Sequence, residues 1–145
     1  MTHTDVTKEQ FYDELDRLIL ATPHSDKLML LGDFNARVGA DCSTWDRVIG
    51  HHGLGKVNTN GALLLSMCAQ HQLVINNTLF QQKNKYKTTW MHPRSGHWHQ
   101  IDFIIVRQRD TRDVHHTRVI RGTTCLSDHR LLRSRVAFTF KSSRR

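Results

Sequence analysis

Leu28-Met29-Leu30-Leu31-Gly32-Asp33-Phe34-Asn35 is the stretch on which the fold turns. Four consecutive apolar residues read as a strand buried on both faces, and Gly32-Asp33 ends it. A carboxylate and a carboxamide two residues apart at the C-terminal end of such a strand are held beside the crevice where α/β sheets bind ligands. The plain alternative is that Asp33 and Asn35 only shape a turn, as Asx residues often do.

Toward the N-terminus, Thr7 and Gln10 make a capping box and Val6 with Phe11 a hydrophobic staple, so a helix is predicted to start there. Phe11, Leu15, Leu18 and Ile19 form its core-facing stripe, Asp13, Glu14, Asp16 and Arg17 its wet face, and Pro23 marks its end. Toward the C-terminus, residues 37–58 are rich in Gly, Asp, His and Asn without periodicity, which predicts a long surface loop of a length that is often functional. A second helix is predicted over Asn60 to Gln72 and a strand over Leu73 to Asn76. Short β-type runs follow over Tyr86 to Met91, Gln100 to Val106, Val114 to Ile120 and Leu131 to Phe140. The turn Pro93-Arg94-Ser95-Gly96 closes a hairpin from Trp90 to Trp98. In the last run Leu132, Ser134, Val136, Phe138 and Phe140 share one face, and Arg133, Arg135, Thr139 and Lys141 take the other. The basic tail 141–145 is expected to be disordered.

At 145 residues, one domain with a core of its own is expected. Charge is divided unevenly. Residues 1–80 hold six Lys/Arg against nine Asp/Glu, a balance of −3, and residues 81–145 hold fifteen against four, a balance of +11. The second half is therefore the one that faces a polyanion or, at its plainest, a solvated basic surface. Cys42, Cys68 and Cys125 are odd in number and widely spaced, which fits a reducing compartment. No run approaches the ~20 apolar residues that span a bilayer. Acids among the first 25 residues are the wrong pattern for a secretory signal. An intracellular location, nucleus or cytoplasm, is expected, with no membrane partner. Eleven histidines include His51-His52, His97-x-His99 and His115-His116, but no companion cysteine pair or carboxylate completes a zinc set by spacing.

Two further features complete the pattern. Ile101-Asp102 leads the apolar run Phe103-Ile104-Ile105-Val106, where an Asp must be paired to offset desolvation. Ser127-Asp128-His129, just before the last run, supplies an acid and an imidazole. GDFN, then ID with its strand, then SDH before a closing strand resemble the endonuclease/exonuclease/phosphatase superfamily, which includes apurinic/apyrimidinic endonucleases and deoxyribonuclease I. Leu30 to Gly39 and Thr89 to Ser95 are most similar to the endonucleases of non-LTR retrotransposons.

The resemblance runs from about Phe11 to Phe138 and implies an α/β (α+β) fold. These residues would form the C-terminal half of a four-layer α/β sandwich, with one mixed β-sheet and two helices on one face. It implies metal-dependent hydrolysis of DNA phosphodiesters, with Mg²⁺ or Mn²⁺ favoured by hard oxygen ligands. By resemblance Asp33 aligns or deprotonates the attacking water, and Asn35 orients that acid and the phosphate. Asp128 lies near the metal, His129 contacts the scissile phosphate, and Asp102 orients His129. Trp98, in the hairpin where the family reads DNA shape, and Arg94, Lys85 and Lys87 are candidate nucleic-acid contacts. A partly buried hairpin tryptophan and solvated edge charges are the plain readings of the same residues.

In the family, the other half of the domain carries the glutamate that is the principal metal ligand, an asparagine near the phosphate and usually a tyrosine, and residues 1–30 hold no substitute. The metal is therefore expected to be weakly held and hydrolysis slow or absent, with a bare sheet face that favours self-association. A noncatalytic module binding nucleic acid or protein is the principal alternative. A small phosphoester as substrate is a second, against which the basic half argues.

Overall fold

The computed structural model describes residues 5–122 and 127–138. Cys125, the tail 141–145, and Thr139 and Phe140 of the expected last strand lie outside the described residues.

The central element is β5 (Asp102–Arg107), whose apolar run is buried from Phe103 onward. Strands β1 (Met29–Asp33) and β2 (Leu73–Ile75) flank it, both antiparallel to it, in the order β1-β5-β2. Alternation along β5 sends Phe103 and Ile105 to one face and Val106 to the other. The first face packs on Ile19, Leu64, Leu65 and Cys68 of helices α1 (Asp5–Ala21) and α2 (Thr59–His71). On the opposite face, Val106 and Val74 meet Val114 and Val136 of the hairpin formed by β6 (Val114–Ile120) and β7 (Leu131–Val136). A second hairpin joins β3 (Trp90–Met91) to β4 (Trp98–His99).

The α/β class and the two helices on one face are as expected. In detail, the described strands pair antiparallel in three separate sheets rather than in one mixed sheet. β1 is an edge strand, with Leu31 65% exposed, so its apolar run is not buried on both faces. Helix α1 already includes Thr7, which therefore sits inside the helix instead of capping it, and Val6 and Phe11 are exposed. Its core stripe is Tyr12, Leu15 and Ile19, one position round from the expected one, and Leu18 points to water. Asp16, expected on the wet face, instead pairs with His71 of α2. Residues 37–58 lack long strands or helices, yet Val38, Val48 and Ile49 are core residues, so the segment is a packed loop. The strand expected from Tyr86 shrinks to two residues after a 3₁₀ turn, Asn84–Tyr86.

One contact matters most for placing the loop after β1. Asn58 caps α2, its side-chain oxygen accepting from Gly61 N–H (2.7 Å) and from Arg37 N–H (3.0 Å). A Cβ on Gly61 would lie 1.7 Å from the Arg37 carbonyl oxygen, so helix and loop meet backbone to backbone. Asn58→Ala removes both bonds and is expected to lower unfolding free energy by about 1–2 kcal/mol. Urea denaturation checks this, and a shift within error of zero would show that the cap is dispensable.

Candidate active site

Asp33 and Asp102 are direct cross-strand partners at one end of the β1–β5 ladder. Like charges placed so are unfavourable unless a cation joins them. His129 does. Its Nδ1 lies 2.8 Å from Asp102 Oδ2, and its Nε2 lies 3.6 Å from Asp33 Oδ2 and 3.8 Å from Asp128 Oδ1. One imidazole, entering from the start of β7, is thus set among three carboxylates brought from positions 33, 102 and 128.

The backbone explains how it gets there. His129 forms an isolated antiparallel bridge with Trp90, and Arg130 N–H donates to the Thr89 carbonyl at 2.7 Å, which ties the chain before β7 to the β3–β4 hairpin. The Trp90 indole N–H donates to Asp128 Oδ2 at 3.2 Å and so aims that acid. The Asp102 carbonyl accepts from the buried Asn77 amide at 3.1 Å, and the oxygen of the same amide accepts from Ile104 N–H at 2.9 Å, locking the start of β5.

At the end of β1 both readings of the Asp33–Asn35 pair hold together. Asp33 Oδ1 accepts from Asn35 N–H at 2.8 Å, an Asx turn, while Oδ2 faces His129. Asn35 has φ +46°, a left-handed conformation that Asn tolerates better than most residues. The Asn60 amide donates to the carbonyls of Phe34 (2.9 Å) and Asn35 (3.1 Å), so α2 grips the turn. A cavity of about 500 Å³ opens here, lined by Asp33, Asn35, Trp90, Asp128 and His129.

Burial pulls the His129 pKa down. The hydrogen bond to Asp102 and the charges of Asp102, Asp33 and Asp128 push it up and prevail, leaving it above the ordinary value.

Asp33, Asn35, Asp102, Asp128 and His129 are therefore all brought together. Of the four residues singled out for nucleic-acid contact, Trp98 and Lys85 line one cavity, and Arg94 and Lys87 are not among its lining residues. Trp98 is part-exposed with the Arg130 guanidinium 3.6 Å above its ring, Lys85 is exposed near Tyr86, and Arg94 is exposed in the hairpin turn. Lys87 is only 7% exposed and burial lowers its pKa, because the 3₁₀ turn at 84–86 rolls it inward. Its side chain is not offered to solvent as the others are. Among the described residues, the metal-ligating atoms that converge within 4.8 Å are those of Asp33, Asp102 and His129, and the histidine pairs join no such group. Sequence reasoning missed Asn60, Asn77 and Trp90 as positioning residues. For Trp90 a signal existed, since it lies in the Thr89 to Ser95 stretch.

The model of a protein family described as endonuclease-reverse transcriptase matches residues 2–133. Craniofacial development protein 2 of Bos taurus is 41% identical over 123 residues, covering 85% of this chain and 20% of the relative. Its counterpart from Tragulus javanicus is likewise 41% identical over 123 residues, 85% of this chain and 21% of the relative. Two solved structures share the fold. One is the endonuclease domain of TRAS1, a telomere-specific non-LTR retrotransposon (TM-score 0.62, 16% identity, 91% of this chain and 52% of that one). The other is a 3'-5' exonuclease from Neisseria meningitidis (TM-score 0.64, 22% identity, 91% and 54%). The chain spans about a fifth of the length of these curated relatives and about half that of these structures.

In metal-free protein, NMR titration is expected to place the His129 pKa above the ordinary 6.5, and Asp102→Asn to lower it, since burial then acts with less opposition. With the folded value raised, the stabilisation from this pair is fully present below the unfolded pKa and is lost as pH rises through the folded one. An unchanged His129 titration in the Asn variant would mean that Asp102 does not hold the proton there.

Proposed function

Because the chain belongs to the endonuclease-reverse transcriptase family, we propose that Asp33, Asn35, Asp102, Asp128 and His129 form the phosphodiester-hydrolysing centre of a retrotransposon-type endonuclease domain whose substrate is DNA. The observation that carries this reading is the placement of His129, hydrogen-bonded to Asp102 through Nδ1 while Nε2 faces Asp33 and Asp128 over one cavity.

Each residue has a task that its geometry allows. Asp102 keeps the imidazole protonated and oriented, so that Nε2–H donates to a non-bridging phosphate oxygen as charge builds there. Asp33, steadied by the Asn35 N–H, aligns a water for in-line attack and takes its proton, and Asn35 orients acid and phosphate. The Asp33 side chain is 47% exposed and that of Asp128 78%, two accessible carboxylates. That donor set fits Mg²⁺ or Mn²⁺, which take one or two protein carboxylates and fill the remaining positions with water and phosphate oxygens. Asp33 would hold the ion, with Asp128, whose carboxylate lies outside the group that converges within 4.8 Å, beside it; the ion would supply positive charge to the phosphate and to the leaving alkoxide. Among the described residues no glutamate lines the cavity, so the ion is weakly held and turnover by these 145 residues is slow.

A second reading, a noncatalytic nucleic-acid-binding module, is favoured by that same sparse ligand set together with the basic second half of the chain. Incubation with supercoiled plasmid and Mg²⁺ or Mn²⁺ separates the two. Slow nicking is expected, and Asp33→Ala or His129→Ala should reduce it by ~10²–10⁴ while plasmid binding in EDTA is retained. Nicking that survives both substitutions would sink the catalytic assignment; binding with no nicking by the unsubstituted chain would establish the noncatalytic module.

Val6, Leu18 and Leu20 of α1 are 64%, 62% and 69% exposed, and Leu31 of β1 is 65% exposed. Large exposed aliphatic side chains favour association, and sedimentation velocity is expected to show species larger than the monomer as concentration rises. A single monomeric boundary at every concentration would count against it.

A further inference from the structure

A second cavity, about 570 Å³, adjoins the first across the β3–β4 hairpin: Trp90 of β3 lines the first and Trp98 of β4 the second. The division continues in the chain before β7, where His129 lines the first cavity and its neighbour Arg130 the second.

Three features of this second cavity belong together. Its lining carries Arg37, Lys56, Lys85, Arg121 and Arg130, from five separate places in the sequence, with no carboxylate among the lining residues. Unneutralised positive charge in a concave site concentrates anions. Gln100, also in the wall, is only 5% exposed, and neither its Nε2 nor its Oε1 has a hydrogen-bond partner among the described residues. A buried carboxamide left unpaired is unfavourable, and the cost is relieved by a ligand that presents a donor and an acceptor side by side. Finally, Trp98 with the Arg130 guanidinium over its ring at 3.6 Å offers a flat, cationic contact surface.

Anion, paired donor and acceptor, and flat π-system are the three chemical parts of a nucleotide. We propose that this cavity is a nucleotide-binding subsite in which Gln100 reads the edge of a base, Trp98 and Arg130 contact its face, and the remaining cations hold its phosphates. The proposal rests on the reading of the first cavity as a site for nucleic acid, because a single strand with one phosphate at His129 passes directly to Arg130. A free nucleotide has the same chemistry, so the test includes both sources.

Isotope-labelled protein in EDTA is titrated with deoxyadenosine monophosphate, with oligodeoxyadenylate and with inorganic phosphate, following the Gln100 side-chain amide and the Trp98 indole by NMR. Both nucleotide ligands are expected to shift these signals, the oligonucleotide more tightly if the strand is the source and the mononucleotide equally well if it is not. Trp98→Ala should weaken binding about tenfold. Gln100→Leu should also weaken it while raising the thermal midpoint of the free protein, a combination that a purely structural glutamine would not give. Inorganic phosphate producing the same shifts, with both variants binding nucleotide normally, would reduce the cavity to simple charge attraction and overturn the proposal. His129→Ala keeps the two readings apart. If it abolishes nicking but the Gln100 and Trp98 signals never respond, the subsite fails and the catalytic reading stands. If those signals respond and no variant alters nicking, the subsite stands and the catalytic reading fails.

Discussion

The hydrogen bond between His129 and Asp102 is the interaction on which the site depends. Asp33 and Asp102 face each other across the β1–β5 ladder, and Asp102 leads a strand that is otherwise buried. Two carboxylates in that position repel, and the lower the local dielectric the more strongly they do so. An imidazolium between them turns a repulsive pair into an attractive group. The histidine comes from the chain just before β7, which among the described residues pairs with β6 and not with the sheet that carries the two acids, so its position cannot follow from that sheet. It follows from the Trp90–His129 bridge and the Arg130–Thr89 hydrogen bond, which anchor β7 to the small β3–β4 hairpin. That two-strand hairpin contributes little burial and is present chiefly as a bracket.

Amides do the rest of the positioning. Asn58 joins the Arg37 backbone to the N-terminus of α2, Asn60 grips the carbonyls of Phe34 and Asn35, and Asn77 spans the start of β5. Each uses a donor and an acceptor, or two bonds from one atom, to hold backbone where no regular ladder continues. Asn77 has both ends of its carboxamide paired, Asn60 uses only its N–H donors while its buried side-chain oxygen has no partner among the described residues, and these bonds fix the loops bearing Asp33 and Asp102. The apolar core behind them, Phe103 and Ile105 on one face of β5 and Val106 on the other, supplies the rigid base.

The cluster of Asp33, Asn35, Asp102, Asp128 and His129 was legible in the sequence because its residues sit at or beside strand ends, where short local patterns such as Gly32-Asp33-Phe34-Asn35 announce them. The apolar runs of α2 and β5 were equally readable. What was not legible depended on partners distant in the chain. Helix α1 packs Tyr12, Leu15 and Ile19 against the core, and its Asp16 meets His71 of α2, a contact that no pattern within residues 5–21 contains. The segment 37–58 looked like a solvated loop by composition, yet it contributes Val38, Val48 and Ile49 to the core through isolated apolar residues without period. Lys87 read as a surface cation until the 3₁₀ turn before it placed its side chain inside. The positioning asparagines are invisible for the same reason, since Asn58, Asn60 and Asn77 in a sequence look like ordinary turn residues.

The two cavities place opposite electrostatic demands one peptide apart. Around the first, Asp33, Asp102 and Asp128 outnumber the cations His129 and Lys8, so a phosphodiester approaching it alone meets net negative charge. In the proposed hydrolysis those acids orient water and imidazole, and added positive charge would bring the phosphate in. Around the second, arginines and lysines stand without acids, which favours holding an anion. The uneven split of charge along the chain, −3 in residues 1–80 and +11 in residues 81–145, is the linear trace of this arrangement, but the fold refines it. Arg37 and Lys56 cross from the acidic half into the basic cavity, while Asp102 and Asp128 cross from the basic half into the acidic one. Unpaired amide atoms do not by themselves mark a ligand site, since Asn76 is fully buried with both side-chain atoms unpartnered and lines neither cavity. Gln100 differs because its orphaned amide coincides with the cations and with the Trp98–Arg130 surface, and it is the coincidence that carries chemical meaning.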